Sequence, residues 1–205
     1  ANTAFSSAFN EGFMGFQLPP NWETIGNSLF APSHGLFFWT PFLLFAIPGA
    51  YLWWKYRYKT RNLLLSLLGL VFFWLLYHAV QFNPRGGWSV GPRYIANLVP
   101  FLMLIAVWGA DQLYLRYGNK VTPWIAASAV WSILHYSLAS VLFPHLPTHS
   151  DLPQVEIIGT MLWRGLSPMS LVGLSPKWTI LSYLGVLGLL CFYIVWAGFR
   201  GPRRK

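Results

Sequence analysis

This sequence of 205 residues is short of charge and has a single cysteine. Charged residues make up 9% of it, whereas soluble domains carry about a quarter. The lone Cys191 excludes a disulfide within the chain and a thiolate metal cluster, and we expect it to be a small apolar filler. The composition therefore argues against an ordinary soluble domain.

Apolar residues take the place of charge, at 55% hydrophobic and 19% aromatic. Pro41 and Pro48 predict that the first apolar run bends or begins as two short pieces. A further loop, 144–177, is rich in proline, and its apolar middle, about 154–166, predicts a short interfacial helix. The sequence thus predicts an all-α, polytopic integral membrane protein with about five transmembrane helices. The predicted spans are residues 36–54, 63–82, 94–115, 122–143 and 178–199.

Residues 1–35 contain no Lys or Arg, and the 14 basic residues in the rest of the chain are unevenly distributed. Ten of the 14 fall on one side of the predicted membrane, and the positive-inside rule makes that side cytoplasmic. The N-terminus is then outside, with 1–35 as an outer-surface loop or tail, 36–199 as the transmembrane domain and 200–205 as a basic cytoplasmic tail. The ten are Lys55, Arg57, Lys59, Arg61, Arg116, Lys120, Arg200, Arg203, Arg204 and Lys205.

This distribution bears on partners as well as topology. We expect contact with membrane lipids and no nucleic acid, because no basic stripe with interleaved aromatics lies away from the membrane ends. The chain opens on Ala1 without a basic, apolar and small-residue leader. That pattern predicts a processed or partial chain whose earlier spans are missing.

The segment "NPRGGWSVGPRY", residues 83–94, joins the second and third predicted spans on the outer side. Gly91 permits close approach of the backbone to a ligand, and Pro92 fixes the chain where Tyr94 is predicted to begin a helix. Arg93 would then stand near a helix N-terminus, and its forked guanidinium matches phosphate oxygens. These residues fit either a specific phosphate ligand or a structural lipid anchor. Other polar side chains expected to converge there are His78, Arg85, Ser89 and Asn97.

Two short elements carry a family resemblance: "PSHGLF", residues 32–37, and "WSVGPRY", residues 88–94. With the apolar runs around them, they resemble the C-terminal half of bacterial polytopic GT-C superfamily glycosyltransferases, the relatives of polyprenyl-phosphate-sugar-dependent protein mannosyltransferases. The resemblance covers about residues 8–115. It implies a bacterial inner-membrane protein that binds a polyprenyl-phosphate sugar on the outer face. Arg93 is the leading phosphate ligand, supported by Arg85, His34 and the backbone around Gly91.

The resemblance reaches only the carrier-binding half of that family. Its catalytic acidic residue lies in an earlier outer loop, and neither Glu11 nor Glu23 matches that motif. His34 also stands where relatives often carry arginine. We therefore expect the 205-residue chain not to be catalytic by itself, and no catalytic residue is assigned. The alternative is a non-catalytic accessory or scaffold subunit of a larger membrane complex, respiratory or photosynthetic.

The histidines decide the remaining cofactor question. His78 and His135 differ in depth by about 6 Å along their predicted spans, which disfavours opposed ligation of one haem. His145 and His149 flank Pro147, which disfavours a helical metal pair. No metal site and no cofactor other than a carrier lipid is therefore predicted. A transporter is also disfavoured, because the predicted midplane positions are almost all apolar.

Overall fold

The structure is a computed structural model that describes residues 19–80, 95–142, 152–164 and 176–200. All regular elements in these ranges are helical, which confirms the all-α class. Shorter helical segments join the α-helices: 3₁₀ turns at Pro41–Phe45, Tyr58–Thr60, Ala96–Leu98 and Gly118–Lys120, and a π-helix at Gln154–Gly159. The α-helices are α1 Trp22–Phe30, α2 Leu36–Trp39, α3 Ala46–Tyr56, α4 Arg61–Ala79, α5 Val99–Tyr117, α6 Thr122–Leu142, α7 Thr160–Arg164 and α8 Pro176–Arg200.

The first predicted span is a broken helix. It consists of α2, the 3₁₀ segment Pro41–Phe45 and α3 in succession. Pro41 has no backbone N–H and opens the 3₁₀ segment, while Pro48 falls in the first turn of α3, where an intrahelical donor is not needed. The predicted division of this span is confirmed.

Two helices in the described part of the chain are long and apolar enough to cross a membrane, Tyr58–Ala79 and Ala96–Lys120. The apolar stretch Leu181–Trp196 is shorter. In α4, Phe72 and Phe73 are 64% and 67% exposed, and an outward apolar surface of this kind is expected of a helix that faces lipid. The fold is therefore compatible with membrane association.

The main packing contact joins α3 to α5 through glycine. Gly49 and Gly109 meet where the two helices cross, and a Cβ on Gly109 would lie 2.5 Å from the carbonyl oxygen of Phe45 and 2.6 Å from the Cα of Gly49. Small residues at a crossing let two backbones approach closely. The buried side chains of the surrounding cluster are Leu36, Leu43, Ala46, Leu64, Ile95, Leu98, Leu102, Ile105 and Ala106.

A second cluster attaches α6 to the broken helix. Trp39 is fully buried against Ala139 and Leu142, and Ile158 of the π-helix joins them. Leu184, in the first half of α8, packs on the same cluster, so α8 contacts the end of α6 here. The predicted helix within 144–177 is present as the π-helix followed by α7.

The bundle has two chemically different ends. At the first, called the basic end, α3 and α5 finish and α4 and α6 begin. At the second, called the entry end, lie α1, the turn 31–35, the last residues of α4 and the 3₁₀ turn Ala96–Leu98. The 19 residues of α4 separate them by about 28 Å at the usual helical rise.

Candidate functional site

The entry end begins with a helix inside the segment predicted as a loop or tail. Asn21 caps α1, because its Oδ1 accepts a hydrogen bond from the Thr24 N–H at 3.3 Å. Glu23 in the first turn complements the positive end of the helix dipole. The Asn21 N–H donates to the carbonyl of Ala79 at 2.8 Å, which fastens the start of α1 to the end of α4.

Polar side chains make the central contact between α1 and α4. Ser28 Oγ and His78 Nε2 are 2.8 Å apart, and each residue is 1% exposed. Thr24, one turn before Ser28, is also buried, whereas Trp22 and Phe30 are exposed. The helix therefore turns its hydroxyl groups towards the bundle, and a buried donor and acceptor satisfy each other there. His78, a predicted site residue, positions α1 through this bond.

The "PSHGLF" element forms the tight turn that leads into α2. The Gly35 N–H donates to the carbonyl of Ala31 at 2.6 Å. A Cβ on Gly35 would lie 2.5 Å from the carbonyl carbon of Phe30 and from the nitrogen of Ala31, both backbone atoms. Only glycine avoids this overlap, so the turn depends on the residue present.

His34 lies within this turn and is 9% exposed. Its Nδ1 is 2.7 Å from Ser33 Oγ, a contact in which either group can donate, depending on the imidazole tautomer. Gln154 of the π-helix donates from Nε2 to the carbonyl of Pro32 at 2.8 Å. The turn that carries His34 is therefore hydrogen-bonded both to α1, which precedes it in the sequence, and to Gln154, which lies far after it.

The start of α5 differs from the prediction. The α-helix begins at Val99, preceded by the 3₁₀ turn that contains Asn97, and not at Tyr94. Pro100 falls in the first turn of α5, where proline is accommodated because that N–H needs no intrahelical partner. Arg93 lies outside the described residues, so its predicted placement near a helix N-terminus stays a prediction. Asn97 is exposed on the 3₁₀ turn.

Three predicted site residues, His34, His78 and Asn97, are described by the structure, and all three lie at the entry end. The other predicted site residues lie outside the described residues: Arg85, Ser89, Gly91, Arg93 and Tyr94.

Sequence reasoning missed three polar contributors to this end, namely Ser28, Ser33 and Gln154. Ser28 had a usable signal, since Thr24 and Ser28 are four residues apart and share a helical face. Gln154 had none, because its bond to Pro32 spans 122 residues. These hydrogen bonds hold the imidazoles of His34 and His78 and the amide of Gln154 at the entry end.

No protein-family model matches this chain, and neither comparison with curated proteins nor comparison with solved structures finds a match. The resemblance of the two short elements to GT-C glycosyltransferases accordingly stays a prediction.

Proposed function

We propose that this chain is an integral membrane module that holds the phosphate of a polyprenyl-phosphate sugar at its entry end. In this proposal the five predicted segments span a bacterial inner membrane, with the N-terminus outside and the C-terminus in the cytoplasm. The entry end then lies at the outer face, and Arg93 is the principal phosphate ligand.

One observation supports the proposal: a residue of the first family-like element and the residue that directly follows the second belong to one hydrophobic cluster. Leu36 belongs to "PSHGLF", and Ile95 directly follows "WSVGPRY". Both residues are fully buried, and both belong to one hydrophobic cluster, although 58 positions of sequence lie between them. Elements that contribute to one ligand site have to converge in this way.

Chain connectivity adds a distance limit. Consecutive Cα atoms are about 3.8 Å apart, so the Cα of Arg93 lies within about 7.6 Å of the Cα of Ile95. His34 belongs to the first element, and Asn97 follows the second by three residues. Arginine offers paired donors to phosphate oxygens, and imidazole and amide groups can add single donors. Such donors would stabilise the charge on a lipid-phosphate leaving group.

Charge supports the proposed orientation. Six basic side chains occupy the basic end, far from the entry end. A polytopic protein that obeys the positive-inside rule keeps such residues in the cytoplasm, which leaves the entry end on the outer side. The six are Lys55, Arg57, Lys59, Arg61, Arg116 and Lys120.

The test is retention of a synthetic polyprenyl phosphate by the purified chain, measured by native mass spectrometry. The polyprenol of equal chain length is the control ligand, and Arg164→Gln is the control variant, because Arg164 is an exposed arginine outside the two elements. Arg93→Gln should lose at least tenfold in phosphate retention, since hydrogen bonds to charged groups contribute about 1.5–3 kcal/mol. Polyprenol binding and the thermal unfolding midpoint should not change.

Equal retention of polyprenyl phosphate by the wild type, Arg93→Gln and Arg164→Gln would refute the assignment of Arg93. Absence of any preference for the phosphate over the alcohol would refute carrier binding altogether. In that case, purification in a fixed ratio with other membrane subunits would favour the accessory-subunit alternative.

A further inference from the structure

The basic end carries a cationic surface that takes no part in the proposed carrier site. It comprises the ends of α3 and α5 and the start of α4, with five exposed cations and the half-buried Arg61. Between residues 36 and 142 the sequence has one carboxylate, Asp111, and that side chain accepts a hydrogen bond from Gln112 at 3.3 Å. The positive charge of this end is therefore largely uncompensated within the described residues.

Aromatic rings hold four of these cations in place. The Arg116 guanidinium donates to Tyr56 Oη at 2.6 Å, and Lys55 Nζ lies 5.4 Å from the centre of the same ring. The Arg57 guanidinium lies 6.0 Å from the ring centre of Trp108. Rings attract cations through their electron-rich faces without cancelling the charge. These side chains are thus positioned and still able to bind an anion.

Arg61 completes the arrangement on the α4 side. Its Nε donates to the carbonyl of Trp54 at 2.8 Å, and its guanidinium carbon lies 4.8 Å from the centre of the Trp54 ring. Trp54 and Tyr58 are themselves exposed. Tryptophan and tyrosine accumulate at the headgroup level of membranes, where the ring meets acyl chains and the polar tip meets water.

We propose that the basic end binds the headgroups of anionic glycerophospholipids in the adjacent leaflet, with Arg57, Arg116 and Lys55 as phosphate-binding side chains. An exposed group of cations borders exposed aromatic rings, and both surround the ends of membrane-compatible helices. Positive charge therefore lies where the negatively charged lipid headgroups would be. The inference rests on the membrane placement in the proposed function, but not on carrier binding at the other end.

The experiment reconstitutes the full chain into vesicles of phosphatidylcholine with and without phosphatidylglycerol of identical acyl chains. Lipid that remains bound after gentle detergent extraction is then quantified by native mass spectrometry. The wild type should retain phosphatidylglycerol preferentially, and each cation removed in Arg57→Gln and Arg116→Gln should reduce that preference by about fivefold. Salt at about 1 M, where the Debye length is about 3 Å, should reduce it as well.

Arg57→Lys and Arg116→Lys are the matched controls, because they keep the charge and should retain most of the preference. Arg164→Gln, an exposed arginine away from the basic end, should retain all of it. Equal retention of both lipids by the wild type would overturn the proposal, as would a preference that survives the double Gln substitution or disappears only when the 200–205 tail is neutralised.

The two proposals fail in distinguishable ways. Release of the protein from both vesicle types by alkaline carbonate would overturn the membrane placement and this inference together. A membrane-retained protein without lipid preference would overturn this inference and leave carrier binding at the entry end intact.

Discussion

The crossing of α3 and α5 makes a sharp prediction about stability. Gly109→Ala places a methyl group 2.5 Å from the Phe45 carbonyl oxygen, 2.6 Å from the Gly49 Cα and 2.9 Å from the Gly49 nitrogen. All three are backbone atoms, so no side-chain rotation can relieve the overlap, and the helices must move apart. Overpacking in a close-packed core costs about 1–3 kcal/mol, and we expect the upper part of this range.

Gly69→Ala is the matched control, because Gly69 lies in the interior of α4 with nothing within 4 Å of the position of its Cβ. There the alanine should be neutral or stabilise the helix by up to about 1 kcal/mol through propensity. Unfolding in mixed micelles by titration with SDS, followed by circular dichroism, gives the two midpoints. Gly109→Ala should unfold at a distinctly lower SDS fraction than the wild type and Gly69→Ala should not. Equal midpoints for the two variants would refute the crossing.

Two further predictions concern individual hydrogen bonds. Ser28→Ala should lower the free energy of unfolding by about 1–3 kcal/mol, because it removes a partner of the buried His78 imidazole, and a double-mutant cycle with His78→Ala should show coupling; additive effects would contradict the contact. The hydrogen bond from Arg116 holds the pKa of Tyr56 below its usual value of 10.0. A lowered tyrosine pKa stabilises the folded state in full above the ordinary pKa, and this contribution is lost as the pH falls through the lowered value, so it is absent at neutral pH. Subtracting the ultraviolet titration curve of Tyr56→Phe from that of the wild type gives the pKa of Tyr56. The same subtraction in the Arg116→Gln background should give a higher pKa, and an unchanged pKa would refute the hydrogen bond.

The long helices could be predicted because each apolar run is close to the length of one helix. Predicted segments and observed helices agree for α4, α6 and α8 to within a few residues in the described ranges. Pro41 and Pro48 also predicted the break in the first segment, because proline removes a donor wherever it occurs in a helix.

The short helix α1 could not be predicted from hydrophobic periodicity. Its buried face consists of Thr24 and Ser28, and its aromatic residues Trp22 and Phe30 point outwards. Periodicity methods assume that apolar residues mark the buried face, and here the order is reversed. The capping residue Asn21 was the available signal.

The start of α5 was misplaced because two prolines compete for the same role. Pro92 and Pro100 each precede an apolar run, and proline is favoured in the first turn of any helix. Sequence alone does not distinguish them, whereas the structure places Pro100 in the first turn of α5. The dipole of α5 therefore begins at Val99, five residues after the predicted start at Tyr94.

The most direct test of the central claim is photo-crosslinking of a polyprenyl phosphate analogue that carries a diazirine next to its phosphate, followed by peptide mapping of the full chain in vesicles. Carrier binding at the entry end predicts labels within residues 83–98 and 28–36, competed by unlabelled polyprenyl phosphate and not by the polyprenol. Labels confined to the basic end, or spread evenly along the helices without competition, would contradict it.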